Sequence, residues 1–150
     1  GPAKCWPLEY FGTVARAALD SGWRVWVLGS EKDRPAGDIV SAAGGAAVRN
    51  LCGKTRLEDA VDLLGLAEAA VTNDSGLMHV AAAVGCRVIA IYGSTTPEYT
   101  PPLTDRKHIL WLRPDCGPCM QRTCPLGHLK CLRDLRPSEV TNILATLREC

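Results

Sequence analysis

Apolar positions along this chain switch repeatedly between helical and strand-like spacing. After Pro7, a residue tolerated at helix starts, Phe11, Val14, Ala15, Ala18 and Leu19 fall at helical intervals, and Asp20-Ser21-Gly22 ends that segment. Residues 23–29 form a β-rich run, and Ser30-Glu31-Lys32-Asp33 is the turn behind it. A helix is predicted over 35–43, a short strand over 47–51 and a loop over 52–55. Leu57, Ala60, Val61, Leu64 and Leu66 then make an apolar helical stripe opposite Glu58, Asp59 and Asp62. A strand over 68–72, a helix over 75–84 and a strand over 87–92 follow. Beyond them come a Pro/Thr-rich loop at 93–103, a strand at 108–112 and a cysteine-bearing loop at 114–131. A final helix over about 137–149 carries Val140, Ile143, Leu144 and Leu147.

Alternating strands and helices predict an α/β fold: a Rossmann-like parallel sheet with helices on both faces and right-handed crossovers. Such sheets bind ligands beyond the carboxyl ends of their strands. The loops at 29–33, 52–55, 72–76 and 93–97 all fall at that edge. The 150 residues, 47 % of them hydrophobic, suit a single domain over 1–150. A net charge of +1 gives no electrostatic case for nucleic acid or an anionic membrane as partner. No apolar run reaches the roughly 20 residues that span a bilayer, and no secretory signal is visible. The strand expected ahead of Lys4 is missing, so the sequence reads as starting partway into a unit.

The run Thr72-Asn73-Asp74-Ser75-Gly76-Leu77-Met78-His79-Val80-Ala81-Ala82-Ala83 carries the densest chemistry. Asp74 or Ser75 is placed to cap a small-residue helix, and Gly76 lets a ligand approach the backbone. The first-turn N–H groups and the positive end of the helix dipole then favour an anion. A capped helix packed on a sheet without a ligand fits the same spacing. Glu31, just past a strand, can accept from two ribose hydroxyls or can be a solvated turn acid. Lys4 can meet a diphosphate as a point charge or lie idle on the surface. His79 lies one helical turn beyond Ser75, where a structural role is favoured over ligand contact. No G-x-G-x-x-G after a strand, no P-loop and no G-x-S-x-G elbow occurs.

Cys116-x2-Cys119-x4-Cys124-x6-Cys131 encloses His128. Four thiols so spaced can supply a tetrahedral zinc site, although the second pair is not C-x2-C. Disulfides are a competing reading and need an oxidising compartment. Cys5, Cys52, Cys86 and Cys150 are scattered and read as free thiols.

Gly1-Pro2-Ala3-Lys4-x-Trp6-Pro7, Gly29-Ser30-Glu31-Lys32-Asp33, the 72–83 run, Tyr92-Gly93-Ser94-Thr95-Thr96-Pro97 and Thr100-Pro101-Pro102-Leu103 occur in that order. Together they resemble glycosyltransferase family 9, the ADP-heptose:lipopolysaccharide heptosyltransferases. The cysteine loop resembles a variant found in part of that family. The resemblance implies the C-terminal, donor-binding half of a GT-B fold, with the N-terminal acceptor domain absent from this sequence. It implies Lys4 on the donor diphosphate, Glu31 on the ribose, and N–H groups around Ser75, Gly76 and Leu77 on phosphate. Asp74 would meet sugar hydroxyls, Thr55 would border the adenine, and His79 and Gly93 would lie by the donor.

The implied activity is inverting transfer of heptose from ADP-L-glycero-D-manno-heptose to the lipopolysaccharide inner core, with no cofactor required. The implied base lies in the N-terminal domain, so this chain alone would not turn over. The implied location is cytoplasmic, at the inner face of the bacterial inner membrane and peripheral at most. Two other readings stand beside this one. One is another GT-B nucleotide-sugar enzyme, a UDP-sugar transferase or an epimerase. The other is a zinc-stabilised interaction module with a vestigial pocket.

Overall fold

The computed structural model describes residues 2–148. These form two compact units: one holds the residues up to Trp6 together with Val61–Leu135, the other Pro7–Ala60 and the residues from Arg136 on. Both are α/β with parallel strand pairing.

The first unit is built on β3 (Ala69–Asn73), β4 (Arg87–Tyr92) and β5 (Lys107–Trp111), with β4 in the centre. Residues 69–73 pair with 87–91, and 88–92 with 107–111. A strand bonded on both sides and covered on both faces must be apolar throughout, and Val88-Ile89-Ala90-Ile91-Tyr92 is fully buried. The helix α4 (Gly76–Ala83) links β3 to β4 and buries Met78, Ala81 and Ala82. A short helix, α5 (Lys130–Arg133), lies at the end of what the sequence presents as an unbroken cysteine loop. Its Leu132 is buried, and a Cβ added at Gly93 would stand 2.8 Å from Leu132 Cγ and 2.5 Å from the Ala3 carbonyl oxygen. Gly93 is therefore required by packing.

The second unit contains α1 (Leu8–Asp20), β1 (Trp26–Val27), α2 (Arg34–Gly44), β2 (Arg49–Asn50) and α6 (Pro137–Arg148). Ala15, Val40 and Val48 form its core, with Leu8, Phe11, Leu19, Val25 and Val27 packed around them. Small residues bring α1 and α2 together: a Cβ at Gly12 would sit 2.3 Å from that of Ala43. The strands β1 and β2 are shorter than the sequence predicts, but the backbone bonding runs past them. Arg49 N–H donates to Val25 at 3.1 Å, Leu51 to Val27 at 2.9 Å and Gly53 to Gly29 at 3.0 Å. The helix α3 (Leu57–Leu66) forms where the apolar stripe predicts it. Instead of one sheet, the described strands make a two-stranded and a three-stranded ladder. The predicted end of the last helix, residue 149, lies outside the described residues.

Candidate functional site

In the first unit, the chemistry gathers where β3 and β4 end. Asn73 closes β3, and its side-chain oxygen accepts the Trp6 backbone N–H at 3.0 Å. The indole of Trp6 is fully buried and donates to the Leu135 carbonyl at 2.9 Å. These bonds fix the 3-10 turn Pro2–Lys4, and Lys4 Nζ comes 3.7 Å from Asp74 Oδ2. Asp74 is only 6 % exposed, so its carboxylate must find partners inside the protein. It accepts from Thr95 Oγ1 at 2.8 Å and from Thr100 Oγ1 at 3.2 Å, besides facing the ammonium. The Lys4 side chain stays 41 % exposed. The result is a half-exposed cation held by a buried, multiply hydrogen-bonded anion, with its free side open to a ligand.

Beside this pair, α4 begins. Ser75 occupies the N-cap position in extended conformation, yet neither it nor Asp74 caps the helix with its side chain. The capping expectation is corrected: Asp74 is committed to the two threonines and Lys4, and Ser75 Oγ lies 3.4 Å from Thr72 Oγ1. First-turn N–H groups that lack a side-chain cap remain available to water or an anion. Gly76 has no positive φ, and a Cβ added there would enter open space, so the fold does not demand glycine. What glycine does here is leave the approach to Leu77 and the first turn uncovered. His79 is exposed on α4, and its ring has no hydrogen bond among the described residues.

In the second unit, Glu31 opens a 3-10 turn, Glu31–Asp33, anchored where Asp33 Oδ2 accepts the Ser30 N–H at 2.8 Å and hydroxyl at 3.0 Å. Glu31 is 70 % exposed at its side chain and lies 3.7 Å from Arg34 Nη1. Its carboxylate lies over Gly53, where φ is +73° and a Cβ would stand 1.9 Å from Glu31 Oε2. Glycine at 53 is thus needed twice, for the turn and for the acid above it. Thr55, half-buried, follows in the same loop.

The sequence reading missed Thr95 and Thr100 as partners of Asp74, and Asn73 as the tether of the Lys4 turn. The signal available was a run of hydroxyl residues, Ser94-Thr95-Thr96, directly after β4 at the ligand edge. The zinc expectation for Cys116, Cys119, Cys124 and Cys131 finds no support. Among the described residues no group of three His, Cys, Asp or Glu side chains is arranged to hold a metal ion. The thiols line one cavity wall, Cys116 exposed and the others half-buried.

Tyr92, fully buried at the end of β4, donates its hydroxyl to the Thr100 carbonyl and touches Met78 Sδ at 3.6 Å. Burial first, and the Asp74 carboxylate second, push its pKa up to about 12. Because the folded value is raised, the stability it confers is fully present below the unfolded phenol value of about 10. That stability is lost as pH climbs from there through the folded value. Tyr92→Phe is expected to flatten urea-denaturation stability across this alkaline window, while costing on the order of 1 kcal/mol near neutrality.

The sequence matches the profile of Glycosyltransferase family 9 (heptosyltransferase) over residues 1–130. It is 47 % identical to lipooligosaccharide heptosyltransferase 2 of Haemophilus influenzae over 116 residues, covering 75 % of this chain and 34 % of that protein. It is 38 % identical to lipopolysaccharide heptosyltransferase 2 of Escherichia coli over 151 aligned positions, covering 98 % of this chain and 43 % of that protein. The solved structure of the E. coli ADP-heptose lps heptosyltransferase II superimposes with a TM-score of 0.83 at 37 % identity, covering 98 % of this chain and 43 % of that one. This α/β fold thus finds its counterpart among GT-B heptosyltransferases. This chain belongs to glycosyltransferase family 9, the heptosyltransferases. It spans less than half the length of these two relatives. No described helix is long and apolar enough to cross a membrane.

Proposed function

We propose that this chain is the donor-binding part of an inverting heptosyltransferase. It would bind ADP-L-glycero-D-manno-heptose, and the whole protein would pass the heptose to the inner core of lipopolysaccharide. The observation that carries this reading is the Lys4–Asp74–Thr95–Thr100 cluster beside the uncapped start of α4. It supplies a positive charge and free N–H groups side by side, as a departing diphosphate requires.

In the transfer, an acceptor hydroxyl oxygen bonds to the anomeric carbon while the bond from that carbon to ADP breaks. Negative charge then grows on the diphosphate. Lys4 and the N–H groups of Ser75, Gly76 and Leu77 would stabilise that charge without rearranging. Asp74 orients Lys4 and is the proposed partner of sugar hydroxyls. The family pattern gives Glu31 the ribose hydroxyls and Thr55 the adenine border, with His79 and Gly93 close to the donor. The general base for the acceptor hydroxyl is proposed to come from the protein outside these 150 residues, in an N-terminal acceptor domain. We place the reaction on the cytoplasmic side of the inner membrane, where the family resemblance puts it.

The test is heptose transfer by the full-length protein containing this chain, with ADP-heptose and a heptose-deficient lipopolysaccharide as acceptor. Transfer is expected with ADP-heptose and not with UDP-hexoses. Preference for a UDP-sugar would support the other GT-B reading instead.

A further inference from the structure

The donor reading assigns contacts to Lys4 and Asp74 but gives Thr95 and Thr100 no part in selecting a ligand. The three groups that meet the Asp74 carboxylate all meet the same oxygen. Thr95 Oγ1 donates to Oδ2 at 2.8 Å, Thr100 Oγ1 donates to it at 3.2 Å, and Lys4 Nζ stands 3.7 Å from it. Oδ1 accepts no hydrogen bond among the described residues. It is not one of their buried polar atoms left without a partner either, so it reaches solvent. The torsion that turns a carboxylate about its Cβ–Cγ bond is soft and two-fold. Two hydroxyls donating to one oxygen stop that turning and fix where the other oxygen faces.

The two threonines are unequal. Thr95 is buried, and the backbone ahead of it is held on both sides. Ser94 donates its N–H to the Ala3 carbonyl at 3.1 Å and accepts the Met120 N–H at 2.8 Å. The Thr95 hydroxyl is thereby placed relative to the same 3-10 turn that carries Lys4. Thr100 is exposed, and its carbonyl accepts the hydroxyl of the buried Tyr92. Its own hydroxyl makes the longer and wetter of the two bonds to Asp74.

We propose that Thr95, assisted by Thr100, is a positioning residue for sugar discrimination. It holds Asp74 Oδ2 so that Oδ1 presents one fixed acceptor to the hydroxyls of the donor's sugar, and neither threonine helps to seat the diphosphate. This inference rests on the donor reading. The division of labour follows from the two kinds of contact. Lys4 meets Asp74 and a diphosphate as a compact point charge, which depends little on how the carboxylate is turned. A sugar hydroxyl must find an acceptor lone pair at a set distance and angle. Loss of the threonine hydroxyls therefore removes recognition of the sugar and spares that of the nucleotide.

The experiment titrates the full-length protein containing this chain with ADP-heptose and with ADP in a calorimeter, without acceptor. Thr95→Val is expected to weaken ADP-heptose binding about tenfold and ADP binding less than about twofold. Thr100→Val should shift the same ratio by about threefold, because its bond is longer and exposed. Thr95→Ser keeps the hydroxyl and should restore the parent ratio. In an Asp74→Ala background, Thr95→Val should move the ratio no further, since the threonine acts through that carboxylate. If circular dichroism shows Thr95→Val unfolded, the exposed Thr100→Val carries the same comparison. Equal loss of both ligands in a folded variant, an unchanged ratio in both threonine variants, or a further shift in the Asp74→Ala background would overturn the proposal and leave the donor reading standing. A parent protein that binds no ADP-heptose would overturn the donor reading, and this inference with it.

Discussion

Trp6→Ala is expected to remove about 3–5 kcal/mol of stability from the unit built on β3, β4 and β5. The indole is fully buried, so truncation leaves a cavity as well as lost transfer energy. It also strips the Leu135 carbonyl of its donor at 2.9 Å. Urea denaturation followed by circular dichroism should show the midpoint falling steeply. Trp6→Phe keeps much of the volume and loses the hydrogen bond, so it should cost less. A Trp6→Ala variant within about 1 kcal/mol of the parent would show that the ring's burial contributes little, against the packing argument. The substitution should reach function as well, because Trp6 and Asn73 together hold the turn that carries Lys4.

Lys4→Ala is expected to weaken ADP binding by about 10- to 100-fold while barely changing stability. A charge-assisted hydrogen bond to phosphate is worth about 1.5–3 kcal/mol, which sets that range. The ion pair to Asp74 spans 3.7 Å with the Lys4 side chain 41 % exposed, so its loss should cost the fold no more than about 1 kcal/mol. Lys4→Arg should recover part of the affinity, because charge survives although the point-like ammonium does not. An unchanged affinity in Lys4→Ala would remove Lys4 from the site.

How much of this was visible in the sequence depended on how local the cause was. Val88-Ile89-Ala90-Ile91-Tyr92 announces a buried central strand because complete burial leaves no room for polar residues. The helix after Asp74 and the turn at Glu31 were legible because glycine, serine and acidic residues sit where a chain must turn. The contacts that complete the site were not, because they join distant positions. Asn73 with Trp6, and Asp74 with Thr95 and Thr100, are set by the sheet and leave no mark on periodicity. Asp74 shows the consequence: by spacing it is a helix cap, but once buried its carboxylate is more useful to two hydroxyls and an ammonium. The cysteines are a related case. Spacing says that thiols can meet, whereas their convergence on one point is a property of the folded loop.

The central claim is that the cluster around Lys4 and Asp74 with the start of α4 seats the diphosphate of an adenine nucleotide. Calorimetric titration of the reduced chain with ADP, and then with UDP and GDP, tests it most directly. The account predicts saturable binding of one ADP per chain, tighter than UDP or GDP and strongly weakened in Lys4→Ala. No ADP binding by a folded chain, or equal binding of all three nucleotides, would contradict it.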